Sequence, residues 1–147
     1  MLKALIVFST RKGYTEGIAK EIAAGIRLEG VEAKMVNVIN IKKAEDLEGY
    51  DAYLFGSATY GGQMMRGMET MLFMADNLDL EGKVGGSFGA FGWSGEAPGR
   101  IFDTMKNIFN MDMVKEPLRI KNIFKKGDKE IAQEYGREIG KKLKKEI

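Results

Sequence analysis

The chain has 147 residues, 44% hydrophobic and 30% charged with a net charge of +2, the balance of a globular protein rather than a disordered one. The size prior expects a single domain, residues 1–147. With no Cys and no His, disulfides, thiolate nucleophiles, iron–sulfur clusters, Cys zinc sites, haem-type imidazole ligation and a Ser-His-Asp triad are excluded. Chemistry falls to carboxylates, hydroxyls, Lys, Tyr or a bound organic cofactor.

Nineteen Gly stand against two Pro, so the glycine is not linker composition; it marks backbone that turns sharply or approaches a ligand closely. Residues 115–147 carry 11 Lys/Arg against 6 Asp/Glu, whereas residues 1–114 carry 12 against 15. The basic charges alternate with an apolar stripe, which reads as a solvated helix face rather than a nucleic-acid surface. No apolar run reaches the about 18 residues of a membrane span. The start Met leads straight into an apolar run with no cleavage signature behind it, so a buried strand in a cytoplasmic protein is expected.

In chain order, Leu2 to Phe8 reads as a strand covered on both faces. Ile18, Ile22 and Ile26, with Ala19 and Ala23, make one face of a helix that begins at Thr15 and closes at Glu29-Gly30. Val31 to Ile39 reads as a strand, Ile41 to Gly49 as a loop or short turn, and Ala52 to Ser57 as a second buried strand. Met64, Met68, Met71, Leu72, Ala75 and Leu78 recur at helical spacing and are expected in the core. Lys83 to Phe91 reads as a glycine-loosened strand. The following helix, Ala97 to Asn110, turns Ile101, Met105 and Ile108/Phe109 inward. Met113 to Ile120 reads as an edge strand because of Pro117. The last helix, Asp128 to Ile147, repeats Ile131, Tyr135, Ile139, Leu143 and Ile147 every fourth residue. This alternation predicts an α/β three-layer fold: five parallel strands in the order 2-1-3-4-5 with helices on both faces.

Ligands of such sheets lie beyond the carboxyl ends of the strands. Residues 9–15, 57–63 and 90–96 fall there, and they concentrate Gly, Ser, Thr and aromatics. Ser9-Thr10-Arg11-Lys12-Gly13-Tyr14-Thr15 leads into a helix and suits a phosphate, with Arg11 and Lys12 adding positive charge. The competing reading is an ordinary capped turn with Thr15 as N-cap. There is no G-x-x-x-x-G-K-[ST] and no G-x-G-x-x-G, so neither a P-loop nor a nicotinamide fingerprint is present. The second and third segments each set a large aromatic, Tyr60 or Trp93, beside glycine. Two such loops beside a phosphate turn suit a flat ring held between them.

These residues resemble the flavodoxin family. The run I-V-F-S-T-R-K-G-Y-T-E-G-I-A-K-E-I, residues 6–22, matches the flavodoxin phosphate-loop signature at Ile6, Val7, Phe8, Thr10, Gly13, Thr15, Ala19 and Ile22. F-G-A-F-G-W-S-G-E-A, residues 88–97, closely resembles the flavodoxin domain of flavodiiron proteins, here as a stand-alone domain. The resemblance implies a non-covalently bound FMN and an electron carrier, of the oxidoreductase class if an enzyme at all, with no catalytic side chain and no metal. It implies that Ser9, Thr10, Lys12, Gly13, Tyr14 and Thr15 hold the phosphate, with Arg11 beside them. Ala58, Thr59, Tyr60, Gly61 and Gly62 would line one side of the ring, and Phe91, Gly92, Trp93 and Gly95 the other. The expected partners are redox proteins, with self-association open and no nucleic acid or membrane span.

Two departures stand out. The His and carboxylate ligands of a flavodiiron iron domain are missing, so oxygen or nitric oxide reduction is not implied. Flavodoxins are generally acidic, whereas this phosphate turn carries Arg11-Lys12. The run FSTRKGYT also resembles menaquinone-dependent protoporphyrinogen oxidase; this reading ranks second, because the Trp93 loop fits it poorly. A third reading is a flavin-free module of the same fold, docking a partner through its basic last helix.

Overall fold

The computed structural model describes residues 1–122 and 124–145. Eight strands and four helices follow in the order β1 (Lys3–Ser9), α1 (Tyr14–Leu28), β2 (Glu32–Asn37), β3 (Ala52–Ser57), β4 (Thr59–Tyr60), β5 (Gln63–Met64), α2 (Arg66–Ala75), β6 (Val84–Phe91), α3 (Glu96–Asp103), β7 (Asp112–Met113), β8 (Leu118–Lys121) and α4 (Asp128–Lys145). The main sheet is parallel throughout, in the order β2-β1-β3-β6, with β7 and β8 both paired to the outer edge of β6.

Alternation along the buried strands sorts the core into two layers. Ala4, Ile6 and Phe8 of β1 pack with Ile18, Ile22 and Ile26 of α1 and Tyr135, Ile139 and Leu143 of α4. Leu5 and Val7 face the other way, onto Met68, Met71 and Leu72 of α2 and Ile101 of α3. Met68, Met71, Leu72 and Ala75 of the expected helical stripe are thus core, but the helix is shorter than expected: Met64 belongs to β5, Leu78 follows the end of α2, and both are only half-buried. A parallel sheet covered on both faces needs near-continuous apolar strands, as β1 has over Ala4 to Phe8 and β3 over Ala52 to Phe55.

Several expected elements change on folding. The strand order expected as 2-1-3-4-5 becomes β2-β1-β3-β6-β7/β8, because the hairpin β4–β5 intervenes and the edge strand is split. Met113 to Ile120 does not run as one strand. Lys115 takes a left-handed conformation (φ 48°), and Pro117 offers no N–H to the ladder, so pairing stops after the bond from the Val114 N–H to the Gly85 carbonyl (2.8 Å) and resumes at Leu118. The strand expected over Val31 to Ile39 stops at Asn37 and passes into a 3₁₀ turn at Val38–Asn40, while the loop or short turn expected over 41–49 holds a 3₁₀ turn at Ala44–Leu47, in keeping with that reading. Helix α3 stops at Asp103 and passes into a π-helical turn, Thr104–Ile108. The wider turn leaves Ile108 61% exposed while Met105 and Phe109 stay inside.

In α4, Ile131 is 53% exposed, against its expected place in the stripe. Steps of four residues drift about 40° each around a helix of 3.6 residues per turn, so Ile131 swings outward while Ala132, Gly136 and Gly140 take the buried side. Ile147 lies outside the described residues.

Candidate functional site

The carboxyl ends of β1, β3 and β6 bring residues 9–15, 57–63 and 90–96 to one end of the sheet. Short hydrogen bonds stitch the three segments together. The Ala58 N–H donates to the Ser9 carbonyl (3.2 Å), and the Ala97 N–H donates to Thr59 Oγ1 (3.0 Å). The Ala90 N–H donates to Thr15 Oγ1 (3.2 Å).

In the first segment, the Gly13 N–H donates to Thr10 Oγ1 (3.0 Å). Gly13 is the N-cap of α1 in a left-handed conformation (φ 88°), with no side-chain cap, so it displaces Thr15 from the capping position offered by the sequence. Glycine suits that φ, where a side chain would be strained. The first intrahelical bond is from the Gly17 N–H to the Gly13 carbonyl (3.0 Å). The N–H groups of Tyr14, Thr15 and Glu16 are therefore left for another acceptor, at the positive end of the helix dipole. Thr15 is completely buried, its hydroxyl turned toward the end of β6. Tyr14 and Lys12 are exposed.

In the second segment, the buried Ser57 hydroxyl accepts from the Met65 N–H (2.9 Å) and donates to the Ala58 carbonyl (2.9 Å). This closes the base of a hairpin the sequence reading did not anticipate: Thr59 pairs with Met64, and Tyr60 with Gln63. Its two-residue loop is Gly61-Gly62, at φ 59° and 76°; positive φ at both central residues matches the twist of a tight hairpin. Tyr60 stands 62% exposed at the tip, with the Arg11 guanidinium 4.3 Å from its ring centroid. The Gly62 carbonyl accepts from Arg100 Nε (3.3 Å).

In the third segment, Trp93 is 98% exposed. The backbone around it is held from the edge strand: the Phe91 carbonyl accepts the Asn122 N–H (2.7 Å), and the Gly95 carbonyl accepts Arg119 Nε (2.7 Å). A side chain at Gly92 would meet the Asn122 side-chain amide, which would have to shift to admit it. A hydrogen bond from the Ser94 hydroxyl holds the Glu96 carboxyl below the usual carboxylate range, helped by its own backbone N–H and by the charges of Arg100 and Arg119.

Of the residues singled out in the sequence, the structure gathers all three segments at one end. It places Thr15 in the interior behind the loop and turns Arg11 onto Tyr60. Sequence reasoning missed Ser57, Ser94, Glu96, Arg100, Arg119 and Asn122. Ser94 and Glu96 lie inside the motif quoted for the third loop, so a signal existed. Arg119 and Asn122 sit 24 and 31 residues beyond Gly95 and Phe91 in the chain, and nothing local in the sequence marks their reach.

The donor set fits FMN. Uncapped backbone N–H groups at a helix N-terminus suit a phosphate dianion, and two exposed aromatics on neighbouring loops suit a flat ring. Residues 6–122 match the family model for flavodoxin. The chain belongs to the flavodoxin family. It is an FMN-binding domain. This flavodoxin domain is 29% identical over 98% of its length to the putative diflavin flavoprotein A 5 of Nostoc sp. and covers 26% of that protein. It is 32% identical to a flavodoxin of Maridesulfovibrio salexigens over 60% of this chain and 63% of that one. A solved flavodoxin from the domain Archaea superposes with a TM-score of 0.91 at 29% identity, covering 97% and 99% of the two chains. Rubredoxin oxygen:oxidoreductase from Desulfovibrio gigas superposes at 0.90 with 25% identity over 97% of this chain and 36% of that one. The domain spans about a quarter of the length of the diflavin flavoproteins it matches.

Proposed function

We propose that residues 1–147 act as one cytoplasmic unit that holds FMN among the three loops and exchanges electrons with redox proteins at the Tyr60–Trp93 edge. The observation that carries this reading is the meeting, on hydrogen-bonded loops, of an uncapped helix N-terminus and two exposed aromatics. Bound FMN supplies one- and two-electron redox chemistry.

The residues of this chain bind and orient it. The backbone N–H groups of Tyr14, Thr15 and Glu16, presented by the left-handed turn at Gly13, hold the phosphate together with Ser9, Thr10 and Lys12. Ala58, Thr59, Tyr60, Gly61 and Gly62 line one side of the ring; Phe91, Gly92, Trp93 and Gly95 line the other. Stacking between two aromatics removes water from the ring faces, and a low-dielectric slot opposes added negative charge there. No side chain has to act as nucleophile or general base.

An absorbance spectrum tests the reading. Purified or FMN-reconstituted protein shows the two flavin bands near about 370 and 450 nm at one FMN per chain. A folded protein that stays colourless and takes up no FMN overturns it and leaves the partner-docking module.

A further inference from the structure

Arg11 belongs by sequence to the phosphate turn, yet its guanidinium lies 4.3 Å from the centroid of the Tyr60 ring, the stacked geometry of a cation–π pair. It makes no salt bridge among the described residues. Its loop is also joined to the hairpin by the Ala58 N–H to Ser9 carbonyl bond at 3.2 Å, so the stack is a second brace between the same two segments. The Ser57 hydroxyl, the Ala97 N–H and Arg100 hold the hairpin's base, Thr59 and Gly62, but none of these bonds touches the Tyr60 ring. The hairpin's turn is two glycines at positive φ, and its two strands are only two residues long.

We infer that Arg11 is a positioning residue on the ring side of the site: by stacking on Tyr60 it sets the orientation of that aromatic, and it is not a ligand of the phosphate. The inference rests on the reading that Tyr60 lines the FMN ring. Arg suits this task better than Lys, because its planar, weakly hydrated guanidinium lies flat on an aromatic face.

The test is a double-mutant cycle on FMN affinity, measured with folded apo-protein at about 0.3 M salt, where the screening length falls below about 8 Å. Arg11→Gln, Tyr60→Leu and the double variant are titrated with FMN and, separately, with riboflavin, which has no phosphate. Both side chains are exposed, so circular dichroism of the variants should match the parent. A stack at an exposed site is expected to make Arg11→Gln weaken FMN by about two- to five-fold. That loss should disappear in the Tyr60→Leu background, because there is no ring left to orient. Riboflavin, if it binds the parent measurably, should lose affinity by the same factor as FMN. Arg11→Lys should restore only part of the loss.

An equal loss from Arg11→Gln with and without the Tyr60 ring overturns the inference, as does no loss in either background. A loss of ten-fold or more for FMN alone would make Arg11 a phosphate ligand. If instead Tyr60→Leu changes neither FMN affinity nor the flavin spectrum, the underlying reading of Tyr60 fails, and the inference falls with it.

Discussion

The face where α1 crosses α4 and the loop end of the sheet are both rich in glycine, and they use it in opposite ways. Side chains at Gly25 and Gly136 would overlap backbone carbonyls of Gln133 and Ile22; there glycine lets two helices come into contact, and the surroundings are tightly filled. A side chain at Gly13 or Gly61 would meet nothing within 4 Å; there glycine supplies a left-handed backbone in open space. Buried large residues crowd the first region. The second exposes Tyr60 and Trp93 to solvent. On the proposed reading, stability should reside mainly at the helix crossing and FMN affinity at the loops, so substitutions should separate the two.

The largest effect is expected at the crossing. Gly136→Val would push into the Ile22 carbonyl and cost at least the upper part of the about 1–3 kcal/mol typical of overpacking. Denaturant unfolding should show this loss, with FMN affinity of the folded fraction unchanged. An unchanged midpoint would mean that the helices can separate freely.

Thr15 joins the two regions and should show both effects. Thr15→Ala leaves the Ala90 N–H without its acceptor, at a cost of about 1–3 kcal/mol to the apo-protein, and loosens the third loop so that FMN binds more weakly. Thr15→Ser should recover most of both, read from melting and titration of the same samples.

Trp93→Ala should do the reverse of Gly136→Val. With 98% of the residue exposed, apo stability should stay within about 0.5 kcal/mol of the parent. FMN affinity should fall by about 0.5–1.5 kcal/mol, beyond any lost area, if the indole stacks on the ring. Quenching of indole emission by added FMN gives an independent readout. An early melt with unchanged affinity would move Trp93 from the site to the core.

The smallest effect concerns pH. Hydrogen bonds from Lys144 and Arg137 hold the Glu29 carboxyl, at the C-terminus of α1, below its ordinary value of 4.5. A lowered folded-state value means that the stabilisation is present above the unfolded pKa and is lost as pH falls through the folded one. Glu29→Gln should therefore be less stable than the parent near neutral pH. The two stability curves should converge in acid, as pH falls below the lowered folded-state value and the carboxyl is protonated.

Much of this arrangement was legible in the sequence because periodicity reports burial directly. The apolar runs Ala4 to Phe8 in β1 and Ala52 to Phe55 in β3, and the recurrence of Ile18, Ile22 and Ile26 every fourth residue, name the core layers without help. The three site segments were legible for a different reason: residues such as Gly61-Gly62 and Trp93 fit a core badly. What was not legible depends on partners far along the chain. Nothing around Arg119 says that its guanidinium reaches Gly95, and nothing around Thr15 says that it accepts from Ala90 rather than capping its own helix. The exposure of Ile131 was lost to a spacing of four in a helix that turns every 3.6 residues. The split of the edge strand shows only once Lys115 is seen to adopt positive φ.

That split edge has a dynamic consequence. Strand β8 is four residues long, is separated from β7 by an unpaired stretch, and borders the sheet on one side only, so it is a small unit able to open without the rest of the sheet. Both braces on the Trp93 loop, from Arg119 and from Asn122, come from β8 and the residue after it. Fraying of this short strand would release them together. Amide hydrogen exchange at Asn122 would then track the order of the indole loop, and a ligand that orders the loop would slow exchange at an edge it does not touch.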